Sequence, residues 1–163
     1  GLEILPVRGN VITRIGKIFS DEVDGVILAR AGIDRLIADN KYVTEYSDIF
    51  NKISISVIKE SDILPAPAQG ILCAEYANDD MAEILEKIQD KECESLFAAE
   101  RRYVLQADCH TSAGIFISSA SEKYSIKAYF DGKYMEADNI EKTLENLLMS
   151  VEELAGKLKR ENV

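Results

Sequence analysis

Asp24-Gly25-Val26-Ile27-Leu28-Ala29-Arg30-Ala31-Gly32 is the stretch on which the fold reading turns. Val26 to Ala29 is an unbroken apolar run, the pattern of a strand covered on both faces. Ala31-Gly32 follows, and Ile33 to Ile37 supplies one or two helical turns. Strand, loop and helix in that order predict an α/β unit. Upstream, residues 3 to 7 predict a short strand running into an Arg8-Gly9-Asn10 turn. Thr13 is expected to cap a short helix carrying Ile12, Ile15 and Phe19 on one side. Downstream, Ile53, Ile55 and Val57 alternate with polar residues like a half-exposed strand. Leu64 to Gly70 holds two prolines and a glycine, which predicts a crossing segment.

Residues 71 to 76 are strand-like. Asn78 or Asp79 can cap the next helix, whose Met81, Ile84, Leu85 and Ile88 recur at helical spacing. A further helix is expected from Glu92 to about Gln106. Ile115 to Ser118 and Tyr124 to Phe130 read as strands, with Tyr124, Ile126, Ala128 and Phe130 on one face. Asp131-Gly132 predicts a two-residue hairpin turn into Lys133 to Ala137. Asp138 with Glu141 suggests a capping box for a last helix bearing Leu144, Leu147, Leu148, Val151, Ala155 and Leu158. Helix, sheet and helix from residue 92 onward make an α+β unit, so the boundary is set near 90. The expected units are 1–90 and 91–163.

The bulk numbers bound the function. At 163 residues and 47% hydrophobic, the chain can bury a core and is not disordered throughout. No apolar run approaches the roughly 20 residues that cross a bilayer, and no signal peptide opens the chain. A net charge of −10 argues against nucleic acid or an anionic membrane as a partner. It leaves room for a local basic pocket: Arg8, Arg14, Lys17, Arg30 and Arg35 all fall in the first 35 residues. Cys73, Cys93 and Cys109 are odd in number and lack metal-like spacing, as for reduced thiols in a cytoplasmic protein.

Five blocks in order carry a family resemblance. Val7-Arg8-Gly9-Asn10-Val11-Ile12-Thr13-Arg14 comes first, then residues 24 to 32, then Leu64-Pro65-Ala66-Pro67-Ala68-Gln69-Gly70, then Ala99-Glu100-Arg101, and finally Cys109 five residues before Gly114. Together they resemble the second half of porphobilinogen deaminase (hydroxymethylbilane synthase), over roughly residues 4 to 137. The resemblance implies a truncated periplasmic-binding-protein-like α/β domain followed by a small α+β domain with a three-stranded sheet. It implies a transferase of tetrapyrrole and haem biosynthesis that joins four porphobilinogen molecules into hydroxymethylbilane and releases ammonia. With Gly1 in place of Met, the chain is expected to be a C-terminal piece. Its partner would be an N-terminal domain that also holds the catalytic aspartate. The piece alone would be inactive and prone to self-association, and the parent monomeric.

The site residues follow from the same resemblance. Cys109 would hold a dipyrromethane primer by a thioether, a link that a thiolate can form by capturing an electrophilic pyrrolylmethyl carbon. Arg8 and Arg14 would hold the acetate and propionate carboxylates of primer, porphobilinogen and polypyrrole intermediates, with Arg35 as a third. Guanidinium suits the task, being permanently charged and able to fork onto a carboxylate. Backbone donors of Gly9, Asn10, Ala31 and Gly32 would add to it at helix starts. Arg101 would either bridge domains or help hold the polypyrrole, and Glu100, on the helix face of Cys93, Leu96, Phe97 and Val104, needs a partner. The sequence departs from the family around the cysteine, with Ala107-Asp108 before it and Ser112 after it. Asp108 disfavours both thiolate and a polyanion, which keeps a non-catalytic anion-binding or solute-binding module of the same fold as the alternative. A third possibility is a purely structural or interaction unit. His110 beside Cys109 does not make a catalytic pair, because adjacent side chains seldom face each other. At the crossing segment Ala68 stands where the family has glycine, so a positive φ there would be strained.

Overall fold

The computed structural model describes residues 1–39, 44–107, 113–120 and 122–160. The chain divides into two compact units, Gly1–Val57 and Ile58–Val163.

In the first unit, Asn10 rather than Thr13 caps helix α1 (Val11–Phe19). The Asn10 Oδ1 accepts from the Thr13 backbone N–H and from the Thr13 hydroxyl, both at 2.8 Å. Thr13 therefore sits inside the first turn. Asn10, directly before the apolar repeat, captured the helix start because its side-chain carbonyl oxygen reaches the N–H three residues on. Helix α2 (Arg30–Ala38) begins three residues earlier than Ile33, with Ala29 at its N-cap and no side-chain cap bond. A short helix, α3 (Ser47–Phe50), follows. Among the described residues of this unit Ile15 and Ile33 are buried, one from each longer helix. Residues 3–7, 26–29 and 53–57 were expected as strands, but none pairs in a ladder among the described residues. Ile27 is 71% exposed. A strand exists only with a neighbour to bond, and the described part of this unit offers those runs none.

The second unit is built around an antiparallel sheet, β1 (Ala113–Ala120), β2 (Lys123–Phe130) and β3 (Lys133–Glu141), in the order β1-β2-β3. Asp131 and Gly132, both at positive φ, close the β2–β3 hairpin as the Asp-Gly pair predicts. One face of the sheet is buried: Ile115 and Ile117 from β1, Tyr124, Ile126, Ala128 and Phe130 from β2, and Ile140 from β3. Helices α5 (Lys91–Gln106) and α6 (Leu144–Arg160) cover it with Ala99 and Tyr103 from one, and Leu147, Val151, Leu154, Ala155 and Leu158 from the other. Each large apolar side chain removed from water here contributes about 1.5–3 kcal/mol before entropic costs. The Tyr103 hydroxyl donates to the Tyr129 carbonyl at 2.7 Å, and burial pushes its pKa up to about 12.

β3 runs past its predicted end at Ala137. Ala137 faces Ile126, while Ile140 faces Tyr124, so three steps on β3 answer two on β2. Asn139, at φ +61°, sits in this bulge. The extra residue restores Ile140 to the inner face. Asp138 is therefore a strand residue, not a cap. Thr143 takes that place, its Oγ1 accepting from the Asn146 N–H at 3.2 Å. At the same end of the sheet, Lys142 pairs with Glu92 at 2.8 Å, and the Ser119 hydroxyl donates to the same carboxylate. These two bonds hold the Glu92 carboxyl below its ordinary pKa and tie the start of α5 to the ends of β1 and β3.

Residues 58–78 precede helix α4 (Asp79–Glu86), which Asn78 caps. Residues 71–76 form no ladder among the described residues. Leu64 to Gly70 is irregular, as its prolines demand, and it packs on the sheet unit. The Ile115 N–H donates to the Pro65 carbonyl at 3.3 Å. The Ala68 N–H donates to the Glu100 carboxylate at 2.5 Å. These bonds explain why the contacts divide at Val57/Ile58, whereas the sequence reading sets its boundary at 90. The crossing segment is fastened to α5 and β1.

Candidate functional site

The Arg8-Gly9-Asn10 turn and the start of α2 come together in the first unit. A Cβ on Gly32 would meet Val11 Cγ2 at 3.2 Å, so the first turns of α1 and α2 lie against each other. Gly9 has φ +118°, and a Cβ there would lie 2.8 Å from Thr13 Cγ2. Only glycine fits that backbone. From this turn the Gly9 carbonyl accepts the Arg14 Nε–H at 2.7 Å. Arg14 is half-buried, whereas Arg8 is exposed.

The two helix starts differ in how their donors are satisfied. At α1 the Asn10 side chain takes the Thr13 N–H. At α2 no side-chain cap bond forms among the described residues, and the Gly32 N–H finds a backbone acceptor in the Ala29 carbonyl at 3.0 Å. An uncapped helix start carries unsatisfied N–H groups and a partial positive charge. That donor set suits a carboxylate, so the residues present fit an anionic group such as a carboxylated pyrrole.

Local ion pairs sort the cations. Lys17 is bound to Glu22 at 2.5 Å and Arg30 to Asp34 at 3.2 Å. Arg8, Arg14 and Arg35 make no ion pair among the described residues. Arg35 is exposed in the last turn of α2, one turn beyond Ala31. In the second unit the neighbours Arg101 and Arg102 behave differently. Arg102 pairs with Glu152 of α6 at 3.3 Å, and exposed Arg101 has no ion pair among the described residues.

Glu100 gains the partner its position demands, but the partner is a backbone N–H, not Arg101. Burial raises its pKa, and the bond from Ala68 draws it part of the way back. Ala68 itself adopts φ +62°, the strained value expected where a glycine is usual. Cys109 and His110, with Asp108 and Ser112, lie outside the described residues. Of the other thiols, Cys73 is exposed and Cys93 half-buried, and both are free. Cys73 is thus open to solvent although it lies in a strand-like apolar stretch. Among the described residues no cluster of three metal-ligating side chains occurs, and no helix is long and apolar enough to cross a membrane. Sequence reasoning missed the Gly9 carbonyl, because a backbone acceptor leaves no residue-type signal.

A family model described as porphobilinogen deaminase, dipyromethane cofactor binding domain, matches residues 1–85. The chain belongs to the porphobilinogen deaminase family. Residues 1–85 include Arg8, Gly9, Asn10, Arg14, Ala31, Gly32 and Arg35, while Arg101 and Cys109 lie beyond them. A porphobilinogen deaminase of Clostridium novyi (strain NT) is 41% identical over 117 residues, covering 69% of this chain and 36% of the relative. That of Clostridium botulinum (strain Eklund 17B / Type B) is 35% identical over 142 residues, 84% of this chain and 45% of its own length. The Caldicellulosiruptor saccharolyticus protein is 30% identical over 162 residues, covering 97% of this chain. The chain spans 52% of that relative, about half. No solved structure matches the chain significantly.

Proposed function

We propose that this chain forms part of a hydroxymethylbilane synthase, a transferase that condenses four porphobilinogen molecules and releases ammonia. The reading assigns residues 1–90 to a periplasmic-binding-protein-like α/β domain and residues 91–163 to the domain bearing Cys109. One observation carries it: the uncapped start of α2 lies against the turn that holds Arg14. Both lie within the residues that match the family's cofactor-binding domain. In this reading Arg8, Arg14 and Arg35 neutralise acetate and propionate groups, and N–H groups of Gly9, Asn10 and Ala31 donate to them, while Gly32, whose N–H is taken by the Ala29 carbonyl, lets the start of α2 lie against α1. For Arg101 the reading keeps both roles that the family resemblance allows, bridging domains or helping to hold the polypyrrole. Cys109 supplies the sulfur for the dipyrromethane. When bound, that group supplies the pyrrole end on which the product is extended. The partners are porphobilinogen, its polypyrrole intermediates and a domain beyond these 163 residues. The reading takes the 163 residues alone to be inactive, the parent to be a monomer, and the compartment to be the reducing cytoplasm, as free Cys73 and Cys93 support.

The test is primer loading in a protein of the relatives' full length, read by intact mass and by the colour that pyrroles give with acidic p-dimethylaminobenzaldehyde. Cys109→Ser should remove the added mass and the colour, and Cys73→Ser should keep both. Equal loading in the two variants would overturn the Cys109 assignment. No added mass in the unsubstituted protein would favour the anion-binding module instead.

A further inference from the structure

Arginine can meet a carboxylate along either of two edges. One edge uses Nε with the nearer terminal nitrogen, the other uses the two terminal nitrogens. In this chain the Arg14 Nε–H is taken by the Gly9 carbonyl at 2.7 Å. The side-on edge is therefore consumed within the protein. The terminal edge is left, and Arg14 makes no ion pair among the described residues. Resting on the carboxylate-binding reading above, we propose that Gly9 is a positioning residue whose carbonyl aims Arg14 so that it grips one carboxylate end-on.

Three features make the arrangement specific to glycine and to this turn. The φ of +118° is closed to L side chains. A Cβ would lie 2.8 Å from Thr13 Cγ2 and 2.9 Å from Thr13 Cβ, and the latter cannot swing away. Thr13 is itself fastened to Asn10 through both its N–H and its hydroxyl. The Asn10–Thr13 pair thus fixes the first turn of α1, and Arg14, the next residue, can reach back five positions to Gly9. Any side chain at position 9 displaces the carbonyl and frees the guanidinium to sample its rotamers. The ligand would then have to bear that ordering cost on binding.

A double-mutant cycle on the 163-residue chain tests this, with porphobilinogen as the calorimetric titrant. Gly9→Ala should weaken binding about tenfold beside Arg14, as expected for misplacing a charge-assisted contact. In an Arg14→Leu background the same change should cost less than about twofold, because its effect runs through Arg14. Equal losses in both backgrounds would overturn the positioning role and leave the carboxylate-binding reading intact. An Arg14→Leu change without effect, or no heat from the unsubstituted chain, would overturn that reading and this inference with it. Nitrogen-15 NMR of the unsubstituted chain reads the geometry without any variant having to fold. The Arg14 Nε–H should exchange with solvent several times more slowly than that of exposed Arg8, and equal rates would refute the bond.

Discussion

Replacing Ala68 by glycine should stabilise the protein, although glycine usually does the reverse. Ala68 holds φ +62° in the crossing segment, fixed there by its N–H bond to Glu100 and by the neighbouring Pro65 bond to Ile115. An L residue in the left-handed region costs about 1–2 kcal/mol. Glycine removes that strain but loses about 0.4–1 kcal/mol through the greater freedom of its unfolded chain. The difference predicts a net gain of about 0.5–1 kcal/mol. The N–H of residue 68 survives the change, so the Glu100 bond is retained. Urea unfolding at neutral pH, followed by far-ultraviolet circular dichroism, should show a higher midpoint with an unchanged slope. The melting temperature should rise by a few degrees for a chain of this size. Ala66→Gly is the control, because Ala66 has no positive φ to relieve and should lose stability. If Ala68→Gly destabilises as much as Ala66→Gly, the strain assigned to this backbone is not there.

Two further outcomes follow from the same segment. Burial raises the Glu100 pKa above 4.5, so between that value and the raised one the folded chain binds more protons than the unfolded chain. Stability contributed by Glu100 therefore falls as pH rises through that window, and Glu100→Gln should gain on the unsubstituted chain between pH 4 and pH 7 in urea titrations. A stability difference that does not vary with pH would refute this. Gly114→Ala should cost about 1–3 kcal/mol by overpacking, since the new Cβ would lie 3.0 Å from Leu64 Cβ at a buried position. Gly156→Ala in α6, with only Arg160 Nη2 at 4.0 Å, should instead gain about 0.5–1 kcal/mol, and loss at both sites would show that the Leu64 contact is not the cause.

The sheet unit was legible because its signals are local. Alternation from Tyr124 to Phe130 needs no knowledge of the partner strands to name the buried face, and Asp131-Gly132 names its own turn. The bulge was not legible. Nothing in Asp138-Asn139 announces that one residue will be looped out to bring Ile140 inward, and the Asp138/Glu141 spacing imitates a cap. The first unit shows the opposite limit. Val26 to Ala29 carries the composition of a covered strand, but composition cannot provide the neighbours that make a ladder. For the site, the sequence singled out Arg8 and Arg14 by the family resemblance and Glu100 by its place on an apolar helix face. It could not see that the partners of Arg14 and Glu100 would be backbone groups, because every residue carries those equally.

Net charge and site charge point in opposite directions here, and the local pairs resolve the conflict. At −10 the chain repels a polycarboxylate at long range, so affinity has to come from contacts well inside a Debye length of about 8–10 Å. Exposed ion pairs such as Lys17–Glu22 and Arg30–Asp34 contribute little to stability, because solvent screens them. Their larger consequence is selection. They withdraw two of the five cations in the first 35 residues, including Arg30, the one at the start of α2. Arg35 remains, but in the last turn of α2 it also complements the helix dipole, so an exposed cation there has a structural explanation of its own. Arg8 remains too, with no side-chain bond among the described residues to fix its direction. Arg14 alone of the three is both unpaired, among the described residues, and oriented, by a carbonyl that no side chain at position 9 could leave in place. The binding argument therefore rests on Arg14 before any other residue of this unit, and on Gly9 because of it.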